Sequence, residues 1–232
     1  MTAAAERDRA ARRGASSRAG MRRAARALAV QGLYEWLLSR NPPDDVVRNV
    51  EERLEEQVRA EVATLAAECL ERYDAATLES LMRAEAAASV PAALEARARR
   101  FASGGKAPAG GKLDRAFVAE LDEKIAERFA FARFDREWFP ALFLAAVSAA
   151  PALETELASA LDRKVEGLSP AERAILILGT HELMNQPEVP YRVAINEAVE
   201  LAKVYGGTDG HRYVNGVLDK LAARLRPGER RS

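Results

Sequence analysis

Cysteine, histidine and aromatic residues are scarce in this chain of 232 residues. One cysteine, Cys69, excludes an intramolecular disulfide, and two histidines fall short of the ligand sets that metal sites need. The expectation is a reducing, cytoplasmic compartment with no metal and no cofactor. No apolar run approaches the ~20 residues of a membrane span, and the charged N-terminus lacks the apolar stretch of a secretory signal, so no membrane partner is expected. Sustained period-two alternation is missing too, which argues against a sheet.

Strong helix formers are abundant. Ala, Leu, Glu and Arg dominate, 48% of residues are hydrophobic and 30% are charged. The expected fold class is all-α, with length enough for a real core. Residues 1–20 read as a disordered basic arm. The spacing predicts helices over 21–40, 44–73, 75–102 with an interruption at Pro91, 114–134, 136–149 and 151–164. The second carries an apolar stripe of Val47, Val50, Leu54, Val58, Val62, Leu65 and Cys69. Residues 103–112, Ser-Gly-Gly-Lys-Ala-Pro-Ala-Gly-Gly-Lys, read as a flexible linker. Ser169-Pro170-Ala171-Glu172 is a helix start: the serine hydroxyl and the glutamate can cap each other's amides, and proline suits the first helical position. The helix it opens contains Ile175-Leu-Ile-Leu178, apolar all round, and reads as the central buried helix. A helix from Tyr191 ends at Gly206-Gly207 as glycine-terminated helices usually do. Its inner stripe runs from Tyr191 to Tyr205. After Thr208-Asp209-Gly210, a last helix carries Val214, Val217, Leu218, Leu221 and Leu225.

Catalytic motifs fail on inspection. His181-Glu182-Leu-Met-Asn185 has asparagine where a zinc hydrolase needs its second histidine, so His181 and Glu182 read as helix-surface or core-edge residues. In the glycine-rich linker, Lys106 stands in place of the first phosphate-loop glycine and Leu113 in place of its Ser/Thr. No Gly-x-Ser-x-Gly elbow is present. Cys69 lies on the apolar stripe and reads as a small core residue. There is no positive case for an enzyme and no catalytic residue to name.

Charge is distributed unevenly around a net of zero. Residues 1–26 hold eight arginines against Glu6 and Asp8, whereas 44–100 hold thirteen acids against eight bases. Such an arm either binds a polyanion or is an arginine-rich tail with no ligand. Arg22, Arg23 and Arg26 lie at the entrance of the first helix, with Arg22 and Arg26 one turn apart. Lys203, Tyr205, Asp209, His211, Arg212 and Tyr213 gather around the last interhelical turn. Donors, an acceptor and aromatic faces together suit single-stranded RNA. Asp209 can accept from a base amino group or cap the last helix, and Tyr205 can stack or serve the core.

Two blocks resemble the NusB family. One is Arg22-Arg-Ala-Ala-Arg-Ala-Leu-Ala-Val-Gln-Gly-Leu-Tyr-Glu-Trp36. The other runs from Leu168-Ser-Pro-Ala-Glu-Arg-Ala-Ile-Leu through Val189-Pro-Tyr-Arg-Val-Ala-Ile-Asn-Glu-Ala-Val-Glu-Leu-Ala-Lys203. It continues to Tyr205-Gly and His211-Arg-Tyr-Val-Asn-Gly-Val-Leu-Asp-Lys220. The resemblance implies a compact helical bundle formed by 21–40 and 136–227. It also implies a transcription antitermination factor that binds boxA RNA of ribosomal RNA leader transcripts. NusE, the small ribosomal subunit protein that doubles as a transcription factor, is the implied partner, with RNA polymerase and other Nus factors joined indirectly. The RNA-facing positions so implied are Arg22, Arg23, Arg26, Asp209, Arg212 and Tyr213, with Tyr205 adjacent. The NusE-facing positions are Tyr34 and Glu172, the latter also a capping residue. A typical member has a short connection after its first helix, whereas here 41–135 form an acidic helical insertion. A helical hairpin lying on the bundle is favoured over a docking or self-association arm that would make a homodimer. A NusB-like domain also precedes the catalytic domain of certain ribosomal RNA cytosine methyltransferases. With no glycine-rich cofactor domain before Ser232, an accessory domain of that kind is the secondary expectation. A purely protein-binding helical scaffold is the third.

Overall fold

The structure, a computed structural model, describes residues 18–72, 90–103 and 115–230. The basic arm up to residue 17, the stretch 73–89 and most of the glycine-rich linker lie outside the described residues. Every regular element among the described residues is helical, as expected of an all-α chain. In chain order they are α1 (Arg18–Ser39), α2 (Pro43–Arg72), α3 (Val90–Ala102), α4 (Arg115–Arg128), α5 (Trp138–Ala158), α6 (Pro170–Asn185), α7 (Tyr191–Tyr205), α8 (Gly210–Leu225) and α9 (Pro227–Arg230). Single 3-10 turns occupy Ala130–Ala132 and Val165–Gly167. The chain divides into two compact units, one of residues 1–24 and 51–135, the other of 25–50 and 136–232.

The first unit has a core of its own. Val58, Val62, Leu65, Ala66 and Cys69 of α2 cluster with Ala93, Leu94, Ala98 and Ala102 of α3 and with Leu121, Ile125 and Phe129. Arg97 donates to Asp122 at 2.8 Å, joining α3 to α4. The stripe that suggested a docking or self-association arm is therefore spent inside the unit from Val58 onward. Its first member is Val46 rather than Val47, because Val46, Val50, Leu54 and Val58 keep a strict four-residue step. Cys69 is a buried free thiol, and burial pushes its pKa up, away from the reactive thiolate.

In the second unit α6 is central. Its residues from Ala174 to Leu183 are buried without interruption, and α5, α7 and α8 pack against it. The start is the capping box read in the sequence: Glu172 N–H donates to Ser169 Oγ at 3.2 Å, and Ser169 N–H donates to Glu172 Oε2 at 3.2 Å. Glycines set two close approaches. A Cβ on Gly32 would come within 3.0 Å of the Phe143 ring, and one on Gly179 within 2.8 Å of Leu218 Cδ1.

Four further expectations are corrected. Helices over 136–149 and 151–164 are instead one helix, α5, running through Pro151. An internal proline costs about 3 kcal/mol, but Phe139, Leu142, Phe143, Ala146, Ala150, Leu153 and Leu157 form an unbroken buried stripe across it. Several buried side chains at about 1.5–3 kcal/mol each outweigh one missing amide. The same helix, 21 residues long, is apolar enough by length and composition to cross a membrane, which overturns the absence of any such run. That stripe packs in the unit's own core. His181 and Glu182 are 5% and 1% exposed, not at the surface, since the central helix has little solvent face. Finally, Gly206 is extended (φ −82°, ψ 167°) rather than left-handed. Its need for glycine is steric, because a Cβ would lie 2.5 Å from the Ala202 carbonyl oxygen.

Candidate nucleic-acid interface

Arg26, expected to face RNA, points inward. It is 4% exposed. Its Nη2 and Nε reach Glu182 Oε1 at 2.8 and 3.0 Å, and Nε also lies 3.0 Å from Oε2. Glu197 stands 4.0 Å from Nη1, and the guanidinium carbon lies 4.9 Å from the Trp138 ring centroid. This arginine is a structural cation of the bundle core, which corrects its assignment as a surface contact. Arg22 and Arg23, one turn earlier on α1, are half-buried and exposed respectively, and belong to the other unit.

The turn between α7 and α8 does present polar and aromatic groups. Tyr205 is exposed, with its hydroxyl accepting from Gln31 Nε2 at 3.0 Å. It is therefore surface, not the core residue its place on the α7 stripe suggested. Asp209 adopts a left-handed backbone (φ 62°, ψ 3°), and its side chain makes no cap bond. Side-chain capping normally comes from a residue in the extended region, so of the two roles open to Asp209 capping is not realised. Its carboxylate instead lies 3.1 Å from Arg212 Nη1, both side chains being well exposed. An exposed pair of this kind contributes at most about 1 kcal/mol, so either group can exchange its partner for a ligand. Asp and Asn tolerate this backbone region better than other residues with a Cβ, but still at some cost.

Tyr213 is held at both its hydroxyl and its ring. Its hydroxyl donates to Asp162 Oδ1 at 2.9 Å, and the Arg163 guanidinium carbon lies 4.5 Å from its ring centroid. Arg163 Nε also donates to Asp162 Oδ1 at 3.0 Å. Hydrogen bonds from Arg163 and Tyr213 hold the Asp162 carboxyl below its usual range, while burial and that carboxylate push the Tyr213 phenol up. Neither Asp162 nor Arg163 was picked out in the sequence, although the charged run Asp162-Arg163-Lys164 shortly before the Ser169 helix start was a visible signal. Lys203 is paired with Glu200 at 2.6 Å.

The two positions expected to meet a protein partner are also placed. Tyr34 is 44% exposed, and Leu38, one turn on, is 58% exposed. Glu172 serves its capping box through Oε2. Its Oε1 lies 3.3 Å from where a Cβ on Gly210 would sit, beside the Asp209 turn.

The sequence pattern of the NusB family matches residues 101–223. The chain belongs to the NusB family. Among its relatives, the transcription antitermination protein NusB of Azoarcus sp. (strain BH72) is 60% identical over 101 residues, 44% of this chain and 65% of that protein. The namesake proteins of Nitrosospira multiformis and Burkholderia lata are 51% and 48% identical, over 47% and 50% of this chain and 69% and 81% of theirs. The NusB match takes in Asp162, Arg163, Glu172, Tyr205, Asp209, Arg212 and Tyr213. It also takes in α4, which lies within the 41–135 segment expected to be an insertion. Arg22, Arg23, Arg26 and Tyr34 precede it.

Proposed function

We propose that this chain is a transcription antitermination adaptor without catalytic activity, acting in the cytoplasm. It binds boxA-like single-stranded RNA of ribosomal RNA leader transcripts together with NusE. RNA polymerase and the other Nus factors are engaged through that complex. The observation that carries this reading is the NusB match over 101–223, which includes the exposed turn bearing Tyr205, Asp209, Arg212 and Tyr213. Aromatic faces stack unpaired bases, Asp209 accepts from a base amino group, and Arg212 donates to base edges or phosphate. Arg22 and Arg23 add phosphate contacts at the entrance of α1. Tyr34 and Leu38, both exposed, give NusE an apolar patch, with Glu172 as a second contact.

The test is a titration of labelled boxA-like and scrambled RNA, with and without NusE, over a range of salt. Tighter binding of the boxA-like strand, strengthened by NusE, is expected. Arg22→Ala with Arg23→Ala should weaken binding and flatten the salt dependence by about 1.4 in logarithmic slope, about 0.7 for each phosphate contact to a single strand. Equal binding of both RNAs, with no effect of NusE, overturns the reading. NusE binding without any RNA binding leaves a protein-docking scaffold instead.

A further inference from the structure

Tyr213 does not present a bare ring to solvent. The loop 161–164 lays Arg163 over it, 4.5 Å from guanidinium carbon to ring centroid, and ties its hydroxyl to Asp162 at 2.9 Å. We propose that this loop is a further element of the RNA-binding face, with Arg163 and Tyr213 forming one composite platform and Arg163 itself contacting RNA. The proposal rests on the RNA-binding reading above and adds residues to the same site.

Stability does not account for the arrangement. The side chains of Arg163 and Asp162 are 51% and 61% exposed, and exposed neighbours of opposite charge add little to folding. What the pair does is orient. The hydroxyl bond to Asp162 fixes how the Tyr213 ring is turned, and the ring in turn holds the guanidinium in place. A guanidinium stacked in this way keeps its outer π face and part of its N–H edge open. Bases stack on such planes, and the edge donates to phosphate oxygens. Arg212 and Asp209 stand on the same helix end as Tyr213, so platform, base-edge acceptor and second cation lie together. Asp162 plays two opposed parts. It positions Tyr213, and it partly neutralises Arg163, so an incoming phosphate must compete with it.

The experiment uses the full chain and a fluorescein-labelled boxA-like RNA, read by anisotropy at several salt concentrations. Arg163→Ala should weaken binding about five- to tenfold, the lower end of what losing one stacking face costs. It should also flatten the salt dependence by about 0.7 in logarithmic slope. Arg163→Lys should keep the slope while losing part of the affinity, because charge survives and planar stacking does not. Asp162→Asn should tighten binding, since the amide still accepts the Tyr213 hydroxyl and the competing charge is gone. Circular dichroism melts check that each variant folds. If Arg163→Ala binds as well as wild type or better, while Tyr213→Ala binds worse, the arginine is only a cover and the proposal fails with the RNA-binding reading intact. If Tyr213→Ala, Arg212→Ala and the Arg22/Arg23 double variant all bind as wild type, the RNA-binding reading fails and takes the proposal with it.

Discussion

Replacing Arg26 by methionine is expected to destabilise the second unit strongly and in a pH-dependent way. Methionine refills most of the aliphatic volume, so the cost comes chiefly from Glu182, which is 1% exposed and loses three close contacts to the guanidinium. Breaking a buried pair by removing one partner costs about 3–5 kcal/mol. A buried carboxylate that loses these three contacts can instead take up a proton. Protonating a carboxyl of ordinary pKa about 4.3 at pH 7 costs about 3.7 kcal/mol, at about 1.36 kcal/mol per pH unit. The two figures agree, so a loss of about 3–4 kcal/mol is expected at pH 7, shrinking to about 1.6 kcal/mol at pH 5.5 as protonation becomes cheaper. Urea unfolding of wild type and variant at several pH values measures this. Adding Glu182→Leu should restore most of the stability, because a buried ion pair exchanged for apolar side chains is often neutral. The folded double variant should bind RNA within about twofold of wild type, a change under 0.5 kcal/mol, since Arg26 faces the core. A penalty that stays constant between pH 7 and 5.5, or a double variant as unstable as the single one, rules this account out.

Arg226 latches the end of α6: it donates to the carbonyls of Leu183, Glu182 and Gln186 at 2.6, 3.1 and 2.9 Å, while its neighbour Glu229 accepts from the first amide of α7 at 3.0 Å. A cation at a helix C-terminus and an anion at a helix N-terminus both complement the helix dipoles, so Arg226→Ala should cost about 2–4 kcal/mol, with Arg226→Lys recovering less than half. A melting temperature unchanged by Arg226→Ala would dismiss the latch. His181 is buried, and its Nδ1 accepts from the Asn185 amide at 3.2 Å, because an amide nitrogen can only donate. Burial lowers its pKa below the ordinary 6.5. The unfolded chain then takes up a proton that the folded chain refuses, so this contribution is complete above pH 6.5 and is lost as pH falls below it. His181→Gln should flatten the fall of the urea midpoint between pH 7 and pH 5.5, and an identical fall in the variant would remove His181 as its cause.

Features with local causes can be read from the amino-acid sequence. The capping box at Ser169 and Glu172, the apolar text of α6 and the stripe of α2 all depend on residues within a turn or two. Local backbone and side-chain chemistry therefore places them nearly where they are observed. Tertiary structure alone decided where charges and rings face. Arg26 looks like any basic residue on an amphipathic helix until Glu182, 156 positions away, arrives beside it. Tyr213 acquires its hydroxyl partner and its guanidinium from a loop 51 residues earlier. Pro151 should end a helix on local grounds, yet the buried stripe of α5 carries the helix through it. In each case the deciding energy comes from burial or from a partner distant in sequence. Neither is encoded in any short window, so most helix starts were legible in the sequence while the extent of α5 and the site's polar contacts were not.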